Sequence, residues 1–283
     1  MVRGEAGYRC GLYAAPRPVR VIRGACAPGR APMRVKRACL MLAGAGVVAG
    51  LFPCAALAQE GATVIVTDLN GESARHVQTG IEERGGTAAA YPLDVTRLVD
   101  VEVVVGAVSE RFGRIDVLIN NACAPIRRTP FLDMETSEWD QVIAVNLRGA
   151  FNCSQVVGRL MKAQGGGRML NISSFVAGLP AAGFAAYSAS KAGLEALSKT
   201  VAGELGEFGV TVVYVRPGVV ETEFTKPGHA GAVGVKMRSA IALRRFGETE
   251  ELATIICFLA SPLSEYINGG PVTVDGGKYV CQF

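Results

Sequence analysis

The sequence predicts an α/β protein in which helices cover both faces of one doubly wound parallel sheet, forming a single domain of three layers. Three observations lead there. Short, almost continuous apolar runs, such as 63–67 and 169–172, have the composition of strands buried on both faces. Longer segments of helical character separate these runs, and two of them end at glycine, at Gly85-Gly86 and at Gly113. The alternation continues along the chain without an internal repeat, as parallel strands joined by helical crossovers require.

Composition sets the outer bounds. With 283 residues, 49% of them hydrophobic, and a mean hydropathy of +0.29, the chain has ample material for a buried core, which excludes disorder of the whole. The net charge of +4 is a property of one end. Nine Lys/Arg and one Glu fall in 1–37, leaving 20 basic and 24 acidic residues in the remainder, so the folded part offers no basic surface for nucleic acid. Eight scattered cysteines without a C-x-x-C pair, and only two histidines, His76 and His229, indicate neither a zinc site nor a disulfide framework. They fit a reducing compartment, and a cytoplasmic protein is expected.

Residues 1–32 are rich in Arg, Gly, Pro and Ala without apolar periodicity and read as a basic, disordered extension, with the domain over 33–283. Within the domain, 38–43 is the expected first strand, 44–50 a Gly-containing turn, and 51–58 the rest of a helix in which Pro53 is locally unfavourable. A competing reading exists here. Residues 33–37 are basic, 38–52 apolar, and Ala56-Leu57-Ala58 resembles a small-residue cleavage site, which together imitate a secretory signal. Against it, the same residues are needed as the first strand of the sheet.

Strand 63–67 then runs to Asp68, helix 72–84 leads to strand 88–93, and helix 97–112 to strand 115–119. A long helix over 137–164 precedes strand 168–172, and a helix over 185–208 precedes strand 211–215. Residues 224–245 read as irregular; helix 249–260 and strand 271–274 close the pattern. With 38–58 assigned to the fold, no full-length apolar span is left for a membrane helix.

The chemistry concentrates in 171–199, NISSFVAGLPAAGFAAYSASKAGLEALSK. Tyr187 and Lys191 are four apart in a helix-favouring sequence and project from one face, which places an ammonium beside a phenol. That charge is expected to lower the tyrosine pKa towards the working pH of a general acid or base. Ser174 stands at the end of a buried strand, where parallel sheets carry their sites. Taken singly, each residue has an ordinary packing or capping use. Together, a serine, a tyrosine thirteen positions later and Tyr-x-x-x-Lys resemble the active-site segment of the short-chain dehydrogenase/reductases, and the likeness extends from about Met33 to the C-terminus.

The resemblance implies a Rossmann fold, a nicotinamide dinucleotide cofactor, a small alcohol or ketone substrate and a homotetramer, with no nucleic acid, membrane or metal partner. The family's Thr-Gly-x-x-x-Gly-x-Gly turn is matched at Gly44 and Gly50, whereas Ala43 and Val48 replace the Thr and the middle Gly. A β-branched residue at 48 is expected to crowd the pyrophosphate or to disfavour the needed backbone. Asp68, 24 residues after Gly44, is placed to accept both ribose hydroxyls and to repel a 2′-phosphate, so NAD is expected over NADP. By likeness, Asp94 and Val95 lie at the adenine. Asn120 and Ala122, in Asn-Asn-Ala-Cys, support the cofactor wall, with Cys123 where the family has Gly. Pro217, Gly218 and Thr222 face the nicotinamide amide and phosphates, and Val274-Asp275-Gly276-Gly277 matches the family's C-terminal motif.

The implied catalytic set is Asn146, Ser174, Tyr187 and Lys191. Tyr187 gives or takes the proton and Ser174 holds the oxygen. Lys191 tunes Tyr187 and binds the cofactor ribose, and Asn146 bends its helix and holds a relay water. The substrate pocket is expected from 125–131, 175–184 and 224–245, whose apolar and aromatic content leans towards a moderately hydrophobic alcohol or ketone. Sugar alcohols, 3-oxoacyl thioesters and steroids all remain compatible. Loss of cofactor binding through Ala43 and Val48, leaving a binding or regulatory protein, is the alternative class.

Overall fold

The computed structural model describes residues 38–42, 47–222, 231–278 and 280. The chain divides into two units, Met1–Ala31 and Pro32–Phe283, and every described residue lies in the second. Ala43 and Gly44, as well as residues 224–230 of the expected pocket segment, lie outside the described residues.

Seven parallel strands form one sheet in the order β3-β2-β1-β4-β5-β6-β7. They are β1 (Ala38–Leu42), β2 (Thr63–Asp68), β3 (Thr87–Pro92), β4 (Val117–Asn120), β5 (Gly167–Ile172), β6 (Val210–Pro217) and β7 (Pro271–Val274). The order reverses between β1 and β4, so the carboxyl ends of these two strands flank the switch-point crevice of a doubly wound sheet. β1 lies between β2 and β4, with Leu40 level with Ile65 on one side and Leu118 on the other. Cleavage after Ala58 would therefore remove a central strand and α1 (Val47–Gln59) with it.

Alternate strand residues supply two cores, one on each sheet face. Val64, Val66, Val117, Ile119, Leu170, Val213 and Val215 pack with residues of α1, α2 (Gly71–Glu82) and α8 (Thr249–Ala260). Ile65, Leu118, Met169, Val210 and Val212 pack with α3 (Leu98–Phe112), α5 (Ala150–Gln164) and α6 (Ala185–Leu205). None of the helices among the described residues is long and apolar enough to cross a membrane.

Three local expectations change. Helix α1 begins at Val47, so Val48 and Gly50 fall in its first turn, where a valine adopts the helical backbone without strain. The crowding expected at 48 is thus one of bulk and not of dihedral angle. Pro53 lies beyond that turn and lacks the N–H that would bond the Ala49 carbonyl. The long helix expected over 137–164 is three pieces: α4 (Thr136–Ile143), a π-helical stretch (Ala144–Gly149) and α5. Residues 224–245, read as irregular, contain α7 (Gly231–Ser239), whose weak apolar periodicity hid it.

Candidate active site

The strand ends that flank the crevice carry the residues singled out above. Ser174 follows β5, is buried, and accepts a hydrogen bond from the Val176 N–H at 3.4 Å, which starts a 3-10 turn. Tyr187 and Lys191 project from the first two turns of α6, with the Lys191 Nζ 5.8 Å from the tyrosine ring centre. The Ser174 hydroxyl lies close enough to the Tyr187 phenol to oppose the rise in its pKa. Ser174, Tyr187 and Lys191 thus meet at the carboxyl edge of the sheet, two of them on one helix and the third across from it.

Lys191 is buried, and its Nζ donates to the Ile172 carbonyl at 2.7 Å. That bond ties α6 to the residue two before Ser174. It also changes the expected electrostatics. Burial pushes the Tyr187 phenol above its ordinary range; the nearby Cys123 thiol adds to the rise, and the Ser174 hydroxyl opposes it. Burial pushes the Lys191 ammonium down, with Cys123 opposing. The expectation that Lys191 brings the phenol into the neutral range does not hold here, because removal from water dominates both groups.

Asn146 lies in the π-helical stretch and is buried. Its Oδ1 accepts from the Ala124 N–H at 2.8 Å and its Nδ2 donates to Ser190 Oγ at 3.0 Å. Ser190 Oγ in turn donates to the Tyr187 carbonyl at 2.8 Å. The amide fastens the loop after β4 to the turn that carries Tyr187. A π turn in mid-helix is a common mark of a functional position. Packing supports the kink: a Cβ at Gly149 would lie 2.5 Å from the Val95 side chain.

At the other half of the crevice, Asp68 ends β2, is buried, and accepts from the Asn70 N–H at 2.8 Å. Burial raises its pKa, and the Asn70 bond opposes this. Asp94 accepts from both the N–H and the hydroxyl of Thr96, at 2.9 and 2.7 Å. The Val95 side chain is packed in the core, Ala122 packs against that same core, and Asn120 Nδ2 donates to Asn171 Oδ1 at 2.7 Å and Ser154 Oγ at 3.0 Å. These three therefore offer backbone, not side chain, at the strand ends. Pro217 ends β6, Gly218 follows it, and Thr222 is half-buried beyond them. Gly218 donates its N–H to the Val274 carbonyl at 2.9 Å, and a Cβ there would lie 2.6 Å from the Asp275 Cα, so the two motifs need each other at close quarters.

Two groups were not found from sequence. Arg75 approaches the start of α2, its Nη1 lying 3.6 Å from where a Gly71 Cβ would be. A buried ion pair joins Glu195 of α6 to Arg216 of β6. Its signal was the spacing: Glu195 follows Tyr187 and Lys191 at a further four residues, on the face already assigned inward.

Beside Tyr187 lies a small pocket lined by Pro125, Ile126, Met134, Val142, Phe184 and Ala186, with Arg127 and Glu138 as its charged members. Two of the three segments expected to form the pocket thus do line it.

A sheet in this order, with a serine, tyrosine and lysine gathered at its carboxyl edge, is the frame of a dehydrogenase or reductase. The family model described as enoyl-(acyl carrier protein) reductase matches residues 50–278. The chain is 38% identical over 250 residues to the 3-oxoacyl-[acyl-carrier-protein] reductase FabG of Thermotoga maritima, covering 88% of this chain and 100% of that one. It belongs to the short-chain dehydrogenase/reductase family and is an oxidoreductase of the Rossmann fold. Among solved structures, a gluconate 5-dehydrogenase from Burkholderia cenocepacia in complex with NADP and tartrate superposes with a TM-score of 0.82 at 30% identity, covering 88% of this chain and 98% of that one. A 7α-hydroxysteroid dehydrogenase complexed with NADH and a 7-oxo bile acid does so at 0.81 and 30%, covering 87% and 96%.

Proposed function

We propose that this protein interconverts a secondary alcohol and a ketone with NAD(H), using Tyr187 as general acid and base. The observation that carries the reading is the meeting of Ser174, Tyr187 and Lys191 at the carboxyl edge of the sheet, beside a small pocket.

The described residues fit a dinucleotide. Asp68 offers a buried acceptor at the end of β2 for the ribose hydroxyls, with exposed Leu69 and Asn70 after it and no basic side chain in that turn. Asp94 and the backbone of Val95, Asn120 and Ala122 would border it along β3 and β4. Pro217, Gly218 and Thr222 would face its amide end, and Gly44 and Gly50 belong to the turn at its phosphates. When bound, the nicotinamide supplies or takes the hydride at the substrate carbon. Ser174 then holds the substrate oxygen by a hydrogen bond that strengthens as charge develops there. Tyr187 gives that oxygen its proton in reduction and takes it back in oxidation. Lys191, fixed to the Ile172 carbonyl, keeps a positive charge beside the phenol and would also bind the nicotinamide ribose. Asn146 holds the loop after β4 against the Tyr187 turn.

NAD is favoured by Asp68, although relatives with each dinucleotide share the fold. The apolar cleft supports a hydrophobic ketone, and the family's habit supports a homotetramer in the cytoplasm, with residues 1–32 as an appended extension to the domain of 33–283.

Fluorescence titration of the full chain with NADH and NADPH, followed by a ketone panel, tests the reading. NADH should bind more tightly, and Tyr187→Phe should abolish turnover while retaining NADH affinity. NADPH preference would overturn the role of Asp68, and substantial residual turnover in Tyr187→Phe that of the phenol. Failure to bind either would indicate a cofactor-deficient relative, with Ala43 and Val48 the first positions to revert.

A further inference from the structure

Glu195 is one of the few buried carboxylates in the described chain, and its surroundings are built around it. Its Oε1 accepts from Ser173 Oγ at 2.8 Å and from Arg216 Nε at 2.7 Å, and its Oε2 accepts from Arg216 Nη2 at 2.5 Å. Both side chains of the ion pair are largely out of solvent, at 6% and 14% exposure, so this is a fork-to-fork pair removed from water and not a surface contact. Such a pair adds little net stability over apolar residues of the same volume, because desolvation offsets the attraction. What it does supply is geometry: a bidentate pair holds one distance and one orientation.

The positions of the three partners show what is being held. Ser173 precedes Ser174; its N–H also donates to the Val215 carbonyl at 2.8 Å. Arg216 precedes Pro217 and Gly218. Glu195 lies one turn beyond Lys191, which is itself bonded to the carbonyl preceding Ser173. One carboxylate therefore joins the helix bearing Tyr187 and Lys191 to the residue before the oxygen-holding serine and to the residue before the turn that faces the cofactor amide.

We infer that Glu195, with Arg216 and Ser173, is a positioning cluster that fixes the distance between the proton-transfer side and the hydride-transfer side of the site. It touches neither substrate nor cofactor and acts through Ser174 and the Pro217-Gly218 turn. The inference rests on the catalytic roles proposed above. It adds a cause for their alignment: the end of β5, the end of β6 and α6 move as one body.

Two variants of the full chain test it. Ser173→Ala removes one hydrogen bond and should fold in any case, while Glu195→Gln keeps the shape and removes the charge. Hydrogen exchange is measured in peptides covering 173–177 and 216–222, with β2 and β3 as the internal reference. Both variants should speed exchange in the two strand ends by about tenfold and leave β2 and β3 unchanged. With NADH and a ketone that the wild type reduces, turnover should fall about tenfold or more. The primary isotope effect from NADH deuterated at C4 should grow, and the NADH dissociation constant should stay within about threefold. Uniformly faster exchange across the sheet, or a lowered melting temperature with unchanged turnover and isotope effect, would reduce the cluster to ordinary stabilisation and overturn the inference. A wild type that reduces no ketone would sink the proposed function instead, and the exchange pattern would still decide whether the cluster couples the two strand ends.

Discussion

The two halves of the crevice hold most of their candidate site side chains in different ways. At the ends of β2 and β3, the carboxylates of Asp68 and Asp94 are bonded two residues along the chain, to Asn70 and Thr96. At the ends of β4, β5 and β6, the bonds run between elements distant in sequence: Asn146 to Ala124 and Ser190, Lys191 to Ile172, Asn120 to Asn171, and Glu195 to Ser173 and Arg216. A local turn can rearrange around a ligand without disturbing the sheet. A cross-linked set of strand ends cannot, and it gives the fixed geometry that proton and hydride transfer need.

The largest test of that contrast is to cut one cross-link. Asn146→Ala leaves the Ala124 N–H and Ser190 Oγ without their bonds to the amide, each loss costing about 1–3 kcal/mol at a buried site. Turnover should fall about a hundredfold, with a lower melting temperature and little change in NADH affinity, since the loosened parts are the loop after β4 and the Tyr187 turn. Initial rates and thermal melts check this. Turnover within about threefold of wild type would mean that the reactive groups are aligned without the cross-link.

The local half should instead respond in selectivity. Asp68→Ser removes the buried charge but keeps a small acceptor. The ratio of NADPH to NADH affinity should rise by about tenfold, while turnover at saturating cofactor stays within about threefold. The pH dependence has a definite sign. Burial raises the Asp68 pKa, so the ionised acceptor is lost as pH falls through a value above that of an ordinary aspartate, and wild-type NADH binding should weaken on the acid side. Asp68→Ser should abolish that acid limb, which titrations at several pH values would show.

The same contrast explains what could be read from the sequence. Strands and helices were legible because apolar runs and glycine stops are local signals, and α8 and β7 fall where expected, at Thr249–Ala260 and Pro271–Val274. The position of Asp68 at the end of a strand was legible for the same reason, whereas Asp94 was singled out by the family resemblance. The break at Ala144–Gly149 follows an element whose periodicity is continuous with α5; it is sustained by the bonds of Asn146 to two distant segments. Glu195 has no local signal of its own beyond its spacing from Lys191, because its partner Arg216 lies 21 residues away in the chain. The direction of the Tyr187 shift was hidden too, because it depends on how much water the folded chain excludes and not on the four-residue spacing to Lys191.

Cys123 lies where the halves meet, and it gives the smallest and most selective test. Its thiol donates weakly to the Ala124 carbonyl at 3.3 Å, and as a neighbour it adds to the rise of the Tyr187 pKa and opposes the fall of the Lys191 pKa. Reduction uses the protonated phenol, so activity is present below the Tyr187 pKa and is lost as pH rises through it. Removing the thiol takes away the second cause of that rise and leaves burial, the first, in place. It also lets the Lys191 ammonium deprotonate sooner. Both changes move the alkaline limb of the reduction rate to lower pH, with turnover at neutral pH altered by about threefold or less. Cys123→Ser keeps nearly the same bulk without the ionisable thiol and should move the limb as Cys123→Gly does. If only the glycine variant moves it, or if NADH binding tightens in the glycine variant alone, bulk is what matters at 123. The residue would then belong with the cofactor wall and not with the proton-transfer groups.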